Sequence, residues 1–147
     1  MNTFLPKKTL VNSFSCQDFT FEIKDDTIIV TFNMSDFTKE HYDLLFRRIT
    51  LFLKSITTKH YFIYDVSKVK VMHTNLRLDF GKQVQKILED YEHVIHLYII
   101  ILDSPLTKIL LYGINLIIKS PVKQYVKKSR SEALHFLKLL KLTPTYY

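Results

Sequence analysis

The sequence predicts one α/β domain built on a mostly parallel β-sheet, and three observations carry that expectation. Short β-branched and aromatic runs alternate with longer stretches whose apolar residues recur every three or four positions. The first two short runs are separated only by a turn, which makes them an antiparallel hairpin, whereas the later ones are separated by helices and so run parallel. A chain of 147 residues, 47% hydrophobic and 24% charged, fills one core but would leave two cores marginal.

The elements follow in order. Residues 1–18 lack a convincing period and read as an N-terminal arm. Phe19, Phe21 and Ile23 then alternate with Thr20, Glu22 and Lys24, as on a half-buried strand. Asp25-Asp26 supplies turn chemistry before a second strand, residues 27–32. Residues 33–38 are rich in helix-capping types. Tyr42, Leu45, Phe46, Ile49, Phe52, Leu53 and Ile56 then mark one face of an amphipathic helix.

Tyr61-Phe62-Ile63-Tyr64 is the next strand, closing at Asp65. A second helix from about Asn75 to Tyr91 carries the stripe Leu76, Phe80, Val84, Ile87, Leu88 and Tyr91. Residues 94–102 are almost wholly apolar, which suits a central strand buried on both faces. Ser104 as N-cap and Pro105 at the first helical position open a third helix. Its expected inner stripe is Leu106, Ile109, Leu110, Gly113, Ile114 and Ile117. Residues 122–126 make a shorter, more polar strand suited to a sheet edge. Ser129 and Glu132 form a capping box, with Glu132 reaching the Ser129 amide, and Ala133, Phe136, Leu137 and Leu140 face inward on the last helix. The order is β-β-α-β-α-β-α-β-α over a single domain, 19–141, with a tail at 142–147.

Composition limits the chemistry. Two glycines leave few places where a loop could wrap a phosphate, and one cysteine, Cys16, excludes an internal disulfide. The six histidines have no metal-site spacing, and the Gly-x-Ser-x-Gly elbow of a serine hydrolase is missing. Without a signal-peptide-like run or a bilayer-length apolar segment, the expectation is a cytoplasmic protein. The formal charge is +7. It is concentrated late in the chain, where Lys119, Lys123, Lys127, Lys128, Arg130, Lys138 and Lys141 face Glu132 alone. No recognised nucleic-acid-binding pattern accompanies that charge, so nucleic acid is not an expected partner.

Three segments in this order resemble STAS domains, and more closely the SpoIIAA-like (STAS/SEC14) set. They are Tyr61-Phe62-Ile63-Tyr64-Asp65-Val66-Ser67, His73-Thr74-Asn75-Leu76, and Ser129-Arg130-Ser131-Glu132-Ala133-Leu134-His135-Phe136-Leu137. The resemblance spans roughly residues 19–140. It implies a four-turn β-α superhelix, no cofactor, no enzymatic activity, and a role in protein interaction or regulation. It also places Thr74 where such domains carry a phosphorylated Ser or Thr, although Leu76 stands near the position of the usual glycine. From the residues alone, the first reading of Thr74 is as the N-cap of the second helix, ahead of a switch.

Two candidate sites emerge. Asp65, Ser67, His73, Thr74, Asn75 and Asp103 lie toward the C-terminal ends of the strands, where α/β folds bind ligands. Asp65 and Asp103 are the residues an acid/base pair would use, yet no catalytic or metal motif completes them. The third helix is apolar on more faces than covering a sheet requires. It therefore offers, through Leu111, Tyr112 and Ile118 with Lys119, Lys123, Lys127, Lys128 and Arg130, a surface for a homodimer or protein partner. The leading expectation is a non-enzymatic interaction domain that self-associates or binds a protein. The alternative is an apolar-ligand or membrane-surface module of SEC14-like type, in peripheral contact with anionic lipid.

Overall fold

A computed structural model of the chain describes residues 13–15 and 18–142. Among them, β1 (Ser13–Ser15), β2 (Phe19–Lys24), β3 (Thr27–Phe32), β4 (His60–Asp65), β5 (Ile95–Ile101) and β6 (Lys123–Lys127) form one sheet in chain order. The helices of the described residues are α1 (Lys39–Ser55), α2 (Thr74–Tyr91), α3 (Pro105–Asn115) and α4 (Arg130–Lys141), with a 3₁₀ turn at Glu92–Val94. The pairs β1–β2 and β2–β3 are antiparallel, and β3–β4, β4–β5 and β5–β6 are parallel. The expected hairpin and alternating order are therefore present.

One strand is additional. Ser13, Phe14 and Ser15 pair with Glu22, Phe21 and Thr20, inside the segment read from sequence as a loose or partly docked arm. Three residues are too few to display an alternation, so only the edge of β2 selects them as a strand. The rest of the arm, including Cys16, and residues 143–147 of the tail lie outside the described residues.

Because each parallel strand is added on the same side of its predecessor, right-handed crossovers place α1, α2 and α3 on one face of the sheet. There Leu45, Phe46, Ile49 and Leu53 of α1, Leu76, Ile87 and Leu88 of α2, and Leu110 and Ile114 of α3 meet Phe19, Ile28, Val30, Phe62, Tyr98 and Ile100. The other face belongs to α4, whose Ala133 and Leu137 cover Ile29, Ile63, Leu97, Ile99 and Ile101. With apolar contacts on both faces, β5 is buried along almost its whole length, as its composition predicts.

Local chemistry fixes the joints. Asp25 takes a left-handed conformation (φ 54°) in the β2–β3 turn, which short polar side chains tolerate. The Ser104 hydroxyl accepts the Thr107 N–H at 3.1 Å and Pro105 opens α3, as expected. At α4 the Ser129 hydroxyl accepts the Glu132 N–H at 3.1 Å. The return bond differs from the reading above: the Glu132 carboxylate accepts from the Lys128 N–H at 3.2 Å, one residue before the cap. The helix is further tied across the sheet by Arg130 to Glu22 and by Lys141 to Asp26.

Candidate functional site

The face beneath α1, α2 and α3 is not filled. A cavity of about 110 Å³ lies between those helices and strands β3 to β6, lined among others by Phe62, Tyr64, Tyr98, Val84, Leu111 and Ile118. Protein interiors seldom keep voids larger than a water molecule. A void of this size costs about 2–3 kcal/mol against a filled core, at roughly 24 cal/mol per Å³. None of the lining residues is charged.

The strand register builds its polar groups. Phe62 lies opposite Tyr98, and Tyr98 opposite Gln124, so one row of β4, β5 and β6 side chains points toward the helices. Gln124 Nε2 donates to the Tyr98 hydroxyl at 3.0 Å and to Asn115 Oδ1 at 3.0 Å, while Asn115 Nδ2 donates to Gln124 Oε1 at 2.8 Å. The amides of α3 and β6 thus hold each other and close one side of the cavity. Beyond them is an open groove lined by Ser120, Pro121, Val122, Lys123 and Tyr125. It shares Tyr98, Asn115, Ile118 and Gln124 with the cavity, so these four residues form the partition between the two.

Tyr64, two residues along β4 from Phe62, sits on the same face. Burial holds its phenol well above the ordinary tyrosine range, and the neighbouring Tyr98 adds to the effect. Burial raises Tyr98 too, partly offset by its bond from Gln124. The two tyrosines differ in one respect: the Tyr64 hydroxyl has no hydrogen-bond partner among the described residues. Tyr64 keeps part of its surface accessible and lines the cavity.

Of the residues expected at the strand ends, Asp65 and Ser67 bond to each other. The Asp65 carboxylate accepts from both the Ser67 N–H and the Ser67 hydroxyl, closing the turn after β4. Asp103 is exposed beyond the end of β5. His73, rather than Thr74, is the N-cap of α2; Thr74 is the first helical residue, exposed, its hydroxyl accepting from Arg77 at 3.1 Å. Asn75 follows it, also exposed. Thr74 misses the cap position because the helix begins one residue earlier than its apolar stripe signals.

The third helix also differs from its expected orientation. Thr107, Leu110 and Ile114 face inward, and Leu111 and Ile118 pack against the core and line the cavity. Leu111 and Ile118 are therefore not part of an outer surface, and Leu106 and Ile109 are not part of the inner stripe. The outward stripe is Leu106, Ile109, Tyr112 and Leu116, each about half exposed or more, with Tyr112 at 68%. A helix apolar all round gives no periodic cue to its own rotation. The buried Thr107 hydroxyl, donating to the Val69 carbonyl at 3.0 Å, fixes which side turns in.

The basic residues divide as well. Lys127 lies over the Phe136 ring at 4.1 Å and Arg130 is paired with Glu22, so both anchor α4. Lys119, Lys123 and Lys128 are exposed, Lys123 on the outer groove. Among the described residues no group of three or more His, Cys, Asp or Glu side chains could hold a metal, and no helix is long and apolar enough to cross a membrane.

No family model matches the chain, and no curated protein sequence matches it. Of the cavity residues, the sequence singles out Leu111 and Ile118, though as an outer surface; Tyr64, Tyr98, Asn115 and Gln124 are not read from it as site residues. The available signal is a polar-tipped side chain in a largely apolar strand, and it does not separate Tyr64 from Tyr61 or Tyr98 from His96.

Proposed function

We propose that this domain binds a small, mainly apolar molecule in the cavity between its sheet and helices α1 to α3. The observation that carries the reading is the partly open, uncharged cavity of about 110 Å³ within the larger core. It is of the same order as the roughly 150 Å³ apolar cavity known to admit benzene. Burial of a ligand there would recover contacts that the surrounding side chains lack in the empty state.

The test is thermal melting and calorimetry with benzene as probe. Benzene should raise the melting temperature in a concentration-dependent way, as ligand binding to the native state alone requires. Val84→Phe, which fills the cavity, should abolish the effect while the protein stays folded. A wild-type protein that does not respond to benzene or related small apolar molecules would overturn the reading.

A second reading is favoured by a different observation. The outward stripe of α3 is a contiguous apolar face, and such faces mark contacts with other macromolecules. It supports self-association or a protein partner, in keeping with a regulatory STAS-like domain that performs no catalysis. Kinship with SpoIIAA-like domains is supported by the stepwise strand order with all three crossover helices on one face.

A further inference from the structure

We propose that the ligand is a neutral molecule carrying one hydrogen-bonding oxygen or nitrogen, which pairs with the Tyr64 hydroxyl while its apolar body fills the cavity. The inference rests on the cavity being a ligand site and adds the class of molecule that fits it.

Three features select that class. The lining contains no charged side chain, so an ion would be desolvated there without a counter-charge, at a cost that excludes carboxylates and amines in their ionised forms. The polar side chains Thr107, Tyr98, Asn115 and Gln124 are already engaged. Thr107 bonds to Val69, and the other three bond to one another. Tyr64 alone of the tyrosines on this wall is unpaired among the described residues, at the middle of the sheet and between Phe62 and Tyr98, its ring centroid 6.3 Å from each.

Among the described residues no fully buried side-chain polar atom lacks a partner, so the unpaired Tyr64 hydroxyl keeps accessible surface, where water or a ligand would satisfy it. In the folded protein the phenol stays protonated, so it can donate to a carbonyl, ether or hydroxyl oxygen, or accept from a hydroxyl or amide. A purely apolar ligand would leave it unpaired and displace any water that served it. The selectivity therefore comes from one bond in an apolar setting, where the penalty for leaving a polar group unpaired is what discriminates.

The experiment compares phenol, benzene and benzoate by calorimetry at pH 7, in wild type and in Tyr64→Phe. Wild type should favour phenol over benzene by roughly tenfold more than Tyr64→Phe does, a factor corresponding to one buried hydrogen bond. Benzoate, similar in size but charged, should bind neither protein. If benzene binds and the phenol-to-benzene ratio is the same in both proteins, the role of Tyr64 is wrong while the cavity remains a binding site. If benzoate binds as well as phenol, the neutral class is wrong. If none of the three binds, the cavity holds water at most, and this inference falls together with the reading beneath it.

Discussion

Gly81 on α2 lies so close to α3 that a methyl group built on it would meet the Ile114 carbonyl oxygen at 2.9 Å and the Ile117 side chain at 3.2 Å. That contact sets the distance between the two helices that roof the cavity. An α-helical glycine ordinarily costs about 1 kcal/mol relative to alanine, so its presence in mid-helix is explained by the close approach. Gly81→Ala should therefore destabilise the protein, by about 1–3 kcal/mol, despite the gain in helix propensity. Chemical denaturation read by circular dichroism checks this, and an unchanged or raised midpoint would show that α3 gives way without cost.

The paired amides of Asn115 and Gln124 separate the cavity from the outer groove. A ligand that enters from the outer groove has to pass this pair. Asn115→Ala should accelerate both uptake and release of a cavity ligand several-fold, with a much smaller change in affinity. Stopped-flow measurement of benzene or phenol binding provides the rates; equal rates in the two proteins would place the route elsewhere.

Tyr64 and Tyr98 make stability depend on alkaline pH. In the folded protein both phenols are raised above their ordinary value of 10.0, whereas in the unfolded chain they ionise normally. The folded state thus holds protons that the unfolded state has lost, so stability is full below pH 10 and falls as pH rises above it. The slope approaches about 1.4 kcal/mol per pH unit for each such tyrosine. Phenolate absorbance should show these two of the nine tyrosines ionising together with unfolding. Tyr64→Phe should make the alkaline loss shallower.

Arg130 holds both oxygens of Glu22 at 2.8 Å, joining the start of α4 to a strand 108 residues earlier in the chain. The pair is partly solvated, with side chains 44% and 32% exposed. Screening limits its worth to about 0.5–1 kcal/mol. Arg130→Ala should lower the melting temperature by only a few degrees, less so in high salt, and leave cavity binding unchanged. A loss of several kcal/mol would mean that α4 docks through this bridge rather than through Ala133 and Leu137.

The outer stripe of α3 gives a separate test. Ile109→Glu with Leu116→Glu should leave stability within about 0.5 kcal/mol per site, since both side chains face outward. If this face mediates self-association, light scattering coupled to size exclusion should show wild type as a dimer and the double variant as a folded monomer. A wild-type monomer at high concentration would leave the face to a different protein or to no partner.

The sequence by itself determined the element order, the hairpin, the central position of β5, the polar edge strand and the Ser104 cap of α3. Each is written in local periodicity or in residues a few positions apart, where propensity and capping act. Tertiary structure alone decided three things. The strand Ser13–Ser15 exists through its pairing with β2. The rotation of α3, which moved Leu111 and Ile118 inward and Leu106 and Ile109 outward, depends on a bond from Thr107 to a carbonyl 38 residues away. The cavity needs three helices over the sheet, with the α2–α3 approach set by Gly81, and Tyr64, Tyr98, Asn115 and Gln124 arriving from four different elements. A void is an absence of atoms between distant segments, and no local pattern of residues encodes it.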